Sequence, residues 1–301
     1  MCVILYTNIN GKKILAKNRD RNYKPNIKII HEIINGIEIV YLLDKNSGWI
    51  EGMNENGLGI VNSTLSKSDT SKKKYKKKHI FNALISENKK QCFEQIKKVE
   101  GNNLVIYNEE VFHIGNNTRN VVVNKVKNNT VYSNHLSQLK NSGFTTGKKG
   151  MSSFLRKKIT EHEINNLNSH NFSCNDKLYE EISDILNKNY ENVDPRFHPY
   201  RDEKFTAKKL NISRRQPFIS TTGQIILDMS DMFFVYYTDV NNSEKVEYVN
   251  QLPNDYNPKI RVIIKETEKK TKPHKIFTKR YLKNTYKKFN HSNNKTQKLY
   301  K

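Results

Sequence analysis

The sequence contains few cysteines and no long apolar segment. Its 301 residues include only Cys2, Cys92 and Cys174, too few and too scattered for a disulfide-stapled secreted domain or for paired CxxC zinc ligands. No apolar run approaches the roughly 18 residues that a membrane-spanning helix needs. The opening MCVILYTNINGKK has a short apolar stretch and no small-residue cleavage site, so a signal peptide is not expected. These absences leave a soluble, cytoplasmic globular protein as the expectation.

The fingerprints of nucleotide-binding loops are also missing. Neither GxGxxG nor GxxxxGK followed by Ser or Thr occurs in the chain. The sequence therefore carries no fingerprint for a nucleotide.

The positive charge is concentrated at the end of the chain. The formal net charge is +23, and residues 265–301 hold 13 Lys or Arg against two Glu, a net charge of +11. We therefore expect a folded domain over residues 1–264 and a basic tail over 265–301 that is disordered or partly helical. Such a tail suits an electrostatic arm for nucleic acid or simply a solvated segment. Because no nucleic-acid-binding motif accompanies it, a nucleic-acid partner is not expected.

Strand and helix patterns occur in blocks along the chain. An Asn10-Gly11 turn joins Cys2–Thr7 and Lys13–Ala16 into a predicted β-hairpin. Because strands follow strands and helices follow helices, without a βαβ alternation, the order argues against a parallel nucleotide-binding sheet. It predicts an α+β fold with mainly antiparallel sheets. The other predicted strands are Ile37–Leu43, Gly57–Asn62, Leu104–Tyr107, Val111–Ile114, Val121–Val126, Thr130–Ser133, Phe218–Thr221, Gln224–Asp228, Met232–Tyr237 and Ile260–Ile264, and the predicted helices are Ile80–Val99, Ser152–Ile164 and Asp176–Leu186.

Cys2 is the most informative residue because of its position. Removal of Met1 leaves Cys2 with both a thiol and a free α-amine. An N-terminal nucleophile can use that amine as its own general base. The reference pKa of an α-amine, about 7.7–8.0, makes it partly neutral near pH 7. Taken alone, the position is more typical of a small hydrophobic residue that opens a strand.

Charged groups are expected to lie beside Cys2. Asn18-Arg19-Asp20 follows the second strand of the predicted hairpin, which turns that end of the strand back toward Cys2. Asp20 can orient the α-amine, and Arg19, or Arg21 in its place, can stabilise a thiolate or bind a substrate carboxylate. A polar turn that caps the hairpin is the alternative interpretation of the same residues.

Two asparagines at strand ends are candidates for stabilising an oxyanion. Asn62 closes a strand–turn–strand segment with four glycines that begins at Gly48, and Asn134 follows the predicted strand Thr130–Ser133. His135 stands beside Asn134, but a lone histidine at a strand end is more often structural. The α-amine of Cys2, not His135, is therefore the predicted base.

Together these residues resemble a known group of enzymes. The opening Met1-Cys2, Asn18-Arg19-Asp20, the run Asn54-Glu55-Asn56-Gly57-Leu58-Gly59 before Asn62, and Ser133-Asn134-His135 resemble the N-terminal-nucleophile hydrolases of the linear-amide class. That group contains the choloylglycine hydrolases, the penicillin V acylases and relatives of acyl-CoA:isopenicillin N acyltransferase. The opening and the Asn-Arg-Asp are also similar to the NRDE group, which includes the transport-and-Golgi-organisation-2 proteins.

The resemblance implies a fold, a reaction and roles for six residues. The fold is the four-layer αββα sandwich of two mainly antiparallel sheets. The reaction is hydrolysis or acyl transfer at a linear amide of a small molecule through a thioester, without a cofactor or metal. The implied roles are nucleophile and base for Cys2, contact with the thiol and substrate for Arg19, orientation of the amine for Asp20, an oxyanion site from Asn62 and Asn134, and a later arginine for Arg214, with Arg215 as its rival.

Other features leave alternatives open. Seven lysines in Lys67–Lys78 favour either an anionic substrate or a plain solvated loop. A non-enzymatic NRDE-type protein that binds or carries a small molecule is the alternative function, and the sequence indicates no oligomeric state. Among the thiols, Cys92 is predicted to be buried on a helix and Cys174 to lie in a polar loop, so we expect Cys2 to react fastest with electrophiles.

Overall fold

A computed structural model describes residues 2–65, 78–136, 138–139, 147–167, 170, 172–187, 220–239 and 245–267. Three features singled out in the sequence lie outside these residues: Arg214 with Arg215, the lysine-rich segment up to residue 77, and the tail from residue 268. The strands are β1 (Ile4–Ile9), β2 (Lys12–Arg21), β3 (Asn26–Ile34), β4 (Ile37–Asp44), β5 (Trp49–Asn54), β6 (Leu58–Ser63), β7 (Gly101–Tyr107), β8 (Glu110–Asn116), β9 (Val121–Val126), β10 (Thr130–Tyr132), β11 (Ser220–Asp228), β12 (Phe233–Asp239), β13 (Lys245–Asn250) and β14 (Arg261–Thr267). The helices are α1 (Lys78–Leu84), α2 (Lys89–Ile96), α3 (Gly147–Leu167) and α4 (Asn175–Asn187).

The strands form two sheets. Sheet A has the order β10-β1-β2-β11-β12-β14, and sheet B has the order β13-β3-β4-β5-β6-β7-β8-β9. Neighbouring strands run antiparallel except in the pairs β12–β14 and β13–β3. In the hairpin of β1 and β2, Ile4 lies opposite Lys17 and Ile9 lies opposite Lys12.

Three apolar clusters separate four layers. Residues of both sheets, among them Ile4, Leu42 and Phe234, pack together between the sheets. A second cluster packs the other face of sheet A against α3 and α4, and a third packs the other face of sheet B against α1 and α2. Strand alternation explains the division, because Ile4 and Leu5 of β1 point to opposite faces. The expected four-layer α+β sandwich of two mainly antiparallel sheets is thereby confirmed.

The prediction of one long helix over Ile80–Val99 is wrong. The segment forms two helices, and the chain turns between Leu84 and Lys89. Ser86 donates a hydrogen bond to the Asn82 carbonyl at 2.6 Å, and the Asn88 side chain accepts one from the backbone N–H of Gln91 at 3.0 Å. These local side-chain bonds end the first helix and cap the second, although the apolar spacing continues across the break.

Other differences from the sequence prediction concern the strands. β3 and β13 were not predicted. The two strands predicted over Phe218–Thr221 and Gln224–Asp228 are one strand from residue 220 onward, with a register shift between Thr221 and Gly223.

None of the helices in the described part of the chain combines the length and apolar character that crossing a bilayer requires.

Gly52 in β5 lies against the backbone of β4. A Cβ at this position would touch the Val40 carbonyl oxygen and lie 2.7 Å from Tyr41 Cβ. We expect Gly52→Ala to lower the free energy of unfolding by about 1–3 kcal/mol, because the backbone cannot move aside. Gly115→Ala is the control, since its new Cβ would meet side-chain methyl groups of Leu136 and Val122, at 2.8 and 3.0 Å, rather than backbone. Equal losses for the two variants in urea unfolding would contradict this explanation.

Candidate active site

The hairpin fixes the backbone next to Cys2, which lies two residues before β1. The backbone N–H of Asn18 donates to the Val3 carbonyl at 3.1 Å, and the Val3 N–H donates to Asn18 Oδ1. Cys2 is buried, with 3% of its surface exposed. The backbone beside the thiol is therefore held on both sides by Asn18, to which the sequence analysis gave no role of its own.

The guanidinium group that contacts the Cys2 thiol is that of Arg21. Arg21 Nη1 is 3.7 Å from Cys2 Sγ and donates to the Asp20 carbonyl at 3.0 Å. Burial acts to raise the pKa of the Cys2 thiol, but nearby positive charge, from Lys17, then from the terminal ammonium and then from Arg21, outweighs burial and lowers the pKa below its usual value. The thiolate, which is the nucleophilic form, is thus favoured at Cys2.

Arg19 was predicted to contact the thiol, and the structure places its guanidinium on carboxylates of the opposite sheet. Arg19 Nη2 is 3.5 Å from Asp44 Oδ2, and Arg19 Nε is 3.6 Å from Glu51 Oε2. The Arg19 side chain is fully buried. Arg19 and Arg21 share one face of β2, and both reach inward carboxylates of the opposite sheet, while Arg21 in addition contacts the Cys2 thiol.

These contacts belong to a larger group that we call the charge cluster: Lys17, Arg19, Arg21, Asp44 and Glu51. Lys17 Nζ pairs with Glu51 Oε1 while both side chains are fully buried. Arg21 Nε is 3.4 Å from Asp44 Oδ2. Burial lowers the pKa of Lys17, and the charges of Glu51 and then of Cys2 act in the opposite direction. The cluster joins the two sheets directly beneath the thiol.

Two neutral side chains donate hydrogen bonds to the carboxylates of the charge cluster. Tyr23 donates its hydroxyl proton to Asp44 Oδ2 at 2.6 Å, and Trp49 Nε1 donates to Glu51 Oε1 at 3.2 Å. The Trp49 ring also lies under two cations, with Lys17 Nζ 5.3 Å and the Arg21 guanidinium carbon 5.8 Å from its centroid. Trp49 therefore screens the cluster on the side of β5 and adds cation–π attraction.

Asp20 lies on the face of β2 opposite to Arg19 and Arg21. Its Oδ1 accepts hydrogen bonds from the Thr221 hydroxyl at 2.7 Å and from Asn18 Nδ2 at 3.3 Å. Because Asn18 also binds the Val3 N–H, the Asp20 carboxylate is linked through one amide to the backbone that carries Cys2. The carboxylate is thus placed on the backbone side of Cys2 and the Arg21 guanidinium on its thiol side.

Asn62 presents different groups to the two faces of sheet B. Its backbone N–H points to Glu51 Oε1 at 3.5 Å, a long contact at the end of β6. Its side chain shares the face of Ile60, which packs in the cluster with α1 and α2. Among the described residues, neither side-chain atom of Asn62 has a hydrogen-bond partner although both are buried. The Asn62 group that points toward the charge cluster is therefore the backbone N–H. The sequence had suggested the side-chain amide.

Asn134 is held from several directions. Its Nδ2 donates to the Thr64 carbonyl at 2.7 Å, its Oδ1 accepts from Arg156 Nη2 at 2.9 Å, and its backbone N–H donates to the Ser153 hydroxyl at 2.9 Å. Asn102 Nδ2 binds the flanking carbonyls of Ser133 at 2.8 Å and His135 at 3.3 Å. The neighbouring hydroxyl of Ser133 lies 3.5 Å from the Cys2 carbonyl oxygen, which brings this segment to Cys2.

Two histidines lie near the Asn134 segment. His135 Nδ1 lies 2.8 Å from the Ser153 hydroxyl, and burial lowers the pKa of His135 to about 4. His113 is stacked on Tyr132 with ring centroids 3.8 Å apart, and burial lowers its pKa to about 3. Both rings are neutral near pH 7. Across the described residues, no three His, Cys, Asp or Glu side chains are grouped so that they could hold a metal ion.

The two other thiols differ from Cys2. Cys92 is buried in α2, and desolvation raises its pKa to about 12. Cys174 is exposed just before α4. Each therefore provides an internal comparison for the reactivity of Cys2, the first as a protected thiol and the second as an accessible one.

Sequence reasoning missed Lys17, Glu51, Asn102 and Arg156. One signal was present in β2, where Lys17, Arg19 and Arg21 recur with period two, the spacing of one strand face. Inward cations on a buried strand require inward carboxylates on the facing sheet. Nothing in the sequence indicates which carboxylates these are.

Comparisons with known proteins find similarity in structure only. No family model and no curated protein sequence matches the chain. Among solved structures, the chain is similar to penicillin V acylase from Agrobacterium tumefaciens, with 11% sequence identity, a TM-score of 0.43, and coverage of 79% of this chain and 86% of that one.

Proposed function

We propose that this protein is an N-terminal-cysteine amidohydrolase or acyltransferase that cleaves a linear amide of a small molecule through a thioester on Cys2. The observation that carries the proposal is the contact between Arg21 and the Cys2 thiol, whose pKa is lowered beside the charge cluster. A buried thiol without such neighbours has a raised pKa, as Cys92 does. The proposal requires that Cys2 is the first residue of the mature chain, so that its α-amine is free.

The first half of the reaction forms the thioester. The Cys2 thiolate attacks the amide carbonyl carbon, and the electron pair of the C=O bond moves to its oxygen. The Asn134 Nδ2 group, which carries two hydrogens, is the proposed donor to that oxyanion, and one such donor supplies about 3–4 kcal/mol. The C–N bond then breaks, and the leaving amine takes a proton from the α-ammonium of Cys2.

The second half releases the acyl group. The neutral α-amine removes a proton from water, or from an acceptor amine, as that nucleophile attacks the thioester carbonyl. The C–S bond breaks, and the thiolate returns to its contact with Arg21. Asp20 orients the α-amine in both halves, because Asn18 links its carboxylate to the backbone next to Cys2. Water gives hydrolysis, and an amine gives acyl transfer.

The first test is peptide mass spectrometry after brief treatment with a limiting amount of iodoacetamide. We expect the N-terminal peptide to begin at Cys2 and to carry the label well ahead of Cys174, while Cys92 stays unlabelled until the protein is denatured. The lowered pKa of the Cys2 thiol, beside the Arg21 guanidinium, gives Cys2 a larger thiolate fraction at pH 7 than an ordinary exposed thiol has.

The second test measures turnover. Cys2→Ala is expected to abolish release of the amine from a panel of N-acyl amides, and Cys174→Ala is the control that keeps full activity. A chain that retains Met1, or a Cys2 no more reactive than Cys174, would contradict the proposal. The binding or carriage of a small molecule would then be the remaining hypothesis.

A further inference from the structure

One face of α3 holds the segment that carries Asn134. Ser153 and Arg156 lie three residues apart on that face of the helix, and both are fully buried. The Ser153 hydroxyl accepts a hydrogen bond from the backbone N–H of Asn134 at 2.9 Å, and Arg156 Nη2 donates to Asn134 Oδ1 at 2.9 Å. The helix therefore fixes both the backbone and the side chain of the residue proposed to stabilise the oxyanion.

The two partners of the Asn134 carboxamide leave it a single orientation. The Arg156 guanidinium has only donors, so the atom that faces it is Oδ1, and the Thr64 carbonyl is an acceptor, so the atom that faces it is Nδ2. A flipped amide would set oxygen against the carbonyl and N–H groups against the guanidinium. The Thr64 carbonyl takes one of the two hydrogens on Nδ2. The second hydrogen is the one that the proposed function directs at the oxyanion.

The charge of Arg156 also strengthens the Nδ2–H group as a donor. A cation that donates to Oδ1 draws electron density away from the amide nitrogen, and hydrogen bonds linked in this way reinforce one another in a buried site. The positive charge is felt along this segment, because burial and then the charges of Lys157 and Arg156 lower the pKa of the neighbouring His135. The same field favours negative charge on a substrate oxygen that Asn134 contacts.

We propose that Arg156 is a positioning residue that acts through Asn134, fixing and polarising its carboxamide so that the second Nδ2 hydrogen meets the oxyanion. This inference rests on the proposed function, since it needs an oxyanion formed by the attack of Cys2. The alternative is that Arg156 only fastens α3 to the Asn134 segment. Its loss would then affect the fold and not the oxyanion.

Two reactions of Cys2 separate these roles, because only one of them forms an oxyanion. In the first, the thiolate attacks the carbonyl carbon of p-nitrophenyl acetate, and the C=O electron pair moves to oxygen. That pair then returns, the C–O bond to the leaving group breaks, and p-nitrophenolate and an acetyl thioester are formed. In the second, the thiolate displaces iodide from iodoacetamide and forms a C–S bond. The acylation rate divided by the alkylation rate reports oxyanion stabilisation, because the thiolate fraction cancels.

Arg156→Met is expected to lower that quotient about tenfold or more, as the loss of an orienting outer group does at metal sites. Asn134→Ala removes the donor itself and is expected to lower the quotient about 100-fold to 1,000-fold. Adding Arg156→Met to Asn134→Ala is expected to lower it no further, because the two groups act as one unit. Arg156→Lys keeps the charge and is expected to retain most of the quotient.

The controls remove other thiols and other effects on α3. Every variant carries Cys174→Ala, so that the exposed thiol contributes to neither rate, and Cys2→Ala gives the background. Thr160→Val is the matched control, since Thr160 is equally buried and donates to the Arg156 carbonyl at 2.8 Å, and it is expected to leave the quotient unchanged. Protection of Cys92 shows that each variant is folded. Where Arg156→Met does not fold, Arg156→Gln replaces it, with a fall in the same direction, because it keeps a polar group without the charge.

The outcomes separate this inference from the function on which it rests. If Asn134→Ala lowers the quotient and Arg156→Met does not, or if Arg156→Met lowers both rates equally, the positioning role is wrong and the proposed function stands. If Asn134→Ala leaves the quotient unchanged, the positioning role is again wrong, and Cys2 remains the nucleophile. If Cys2 releases no p-nitrophenolate above the background, the proposed function fails and the positioning role fails with it.

Discussion

Glu51→Gln is expected to lower the free energy of unfolding by about 3–5 kcal/mol, the cost of removing one partner from a buried ion pair. Glu51 Oε1 pairs with Lys17 and accepts a hydrogen bond from Trp49, and Oε2 lies 3.6 Å from Arg19. Glutamine keeps the shape but leaves two buried cations facing a neutral amide. Urea unfolding measures the effect. The slope of the unfolding free energy against urea concentration stays unchanged if the folded and unfolded states keep their compactness.

Glu110→Gln is the matched control. Glu110 also binds two cations, Lys89 and Lys125, each at 2.6 Å, but its side chain is 41% exposed. Solvent screens such pairs, and we expect a loss far smaller than that of Glu51→Gln. The double variant Lys17→Met with Glu51→Gln is expected to be more stable than the sum of the single losses implies. Equal losses at Glu51 and Glu110 would show that burial does not set the strength of the charge cluster.

Local signals predicted the start of the fold well. The Asn10-Gly11 turn and the alternation on either side of it correspond to the hairpin of β1 and β2, with Asn10 and Gly11 both at positive φ. The strand Val121–Val126 has the predicted bounds. These elements depend on residues close together in the chain, where turn chemistry and periodicity act directly.

The missed elements depend on partners far away in the chain. β3 was not predicted, and its run NIKIIHEII mixes apolar spacings typical of strands and of helices. It becomes a strand by pairing with β4 on one side and with β13 on the other, more than 200 residues later. β13 itself is short and exposed, with a pattern that no buried face reinforces.

The candidate site shows the same division. Cys2, Asn18 and Asp20 could be brought together from the hairpin alone, because β1 and β2 are adjacent in sequence. Glu51 could not, since it reaches the site from the facing sheet, and its separation from Lys17 is set by packing rather than by a turn. The choice between Arg19 and Arg21 at the thiol likewise depends on where Asp44 and Glu51 lie.

Lys17→Met is expected to shift the pH dependence of Cys2 alkylation toward higher pH. Lys17 provides the largest of the positive-charge effects that lower the pKa of Cys2, so its removal raises that pKa. At pH 7 the thiolate fraction and the alkylation rate then fall, about tenfold for each unit by which the pKa rises. Lys17→Arg keeps the charge and is expected to recover most of the rate at pH 7. The measurement is the rate of iodoacetamide labelling of Cys2 from pH 5 to pH 10, with Cys174 as the internal reference.

Lys13→Met is the control, since Lys13 lies on the same strand and the same face but pairs with the exposed Glu109. Its labelling profile is expected to match that of the unmodified protein. Protection of Cys92 in every variant separates a change in the thiol from a loss of fold. A Lys17→Met profile that coincides with that of the unmodified protein would mean that Arg21 and the α-ammonium set the thiol pKa without Lys17. The role of Lys17 would then be limited to balancing Glu51 between the sheets.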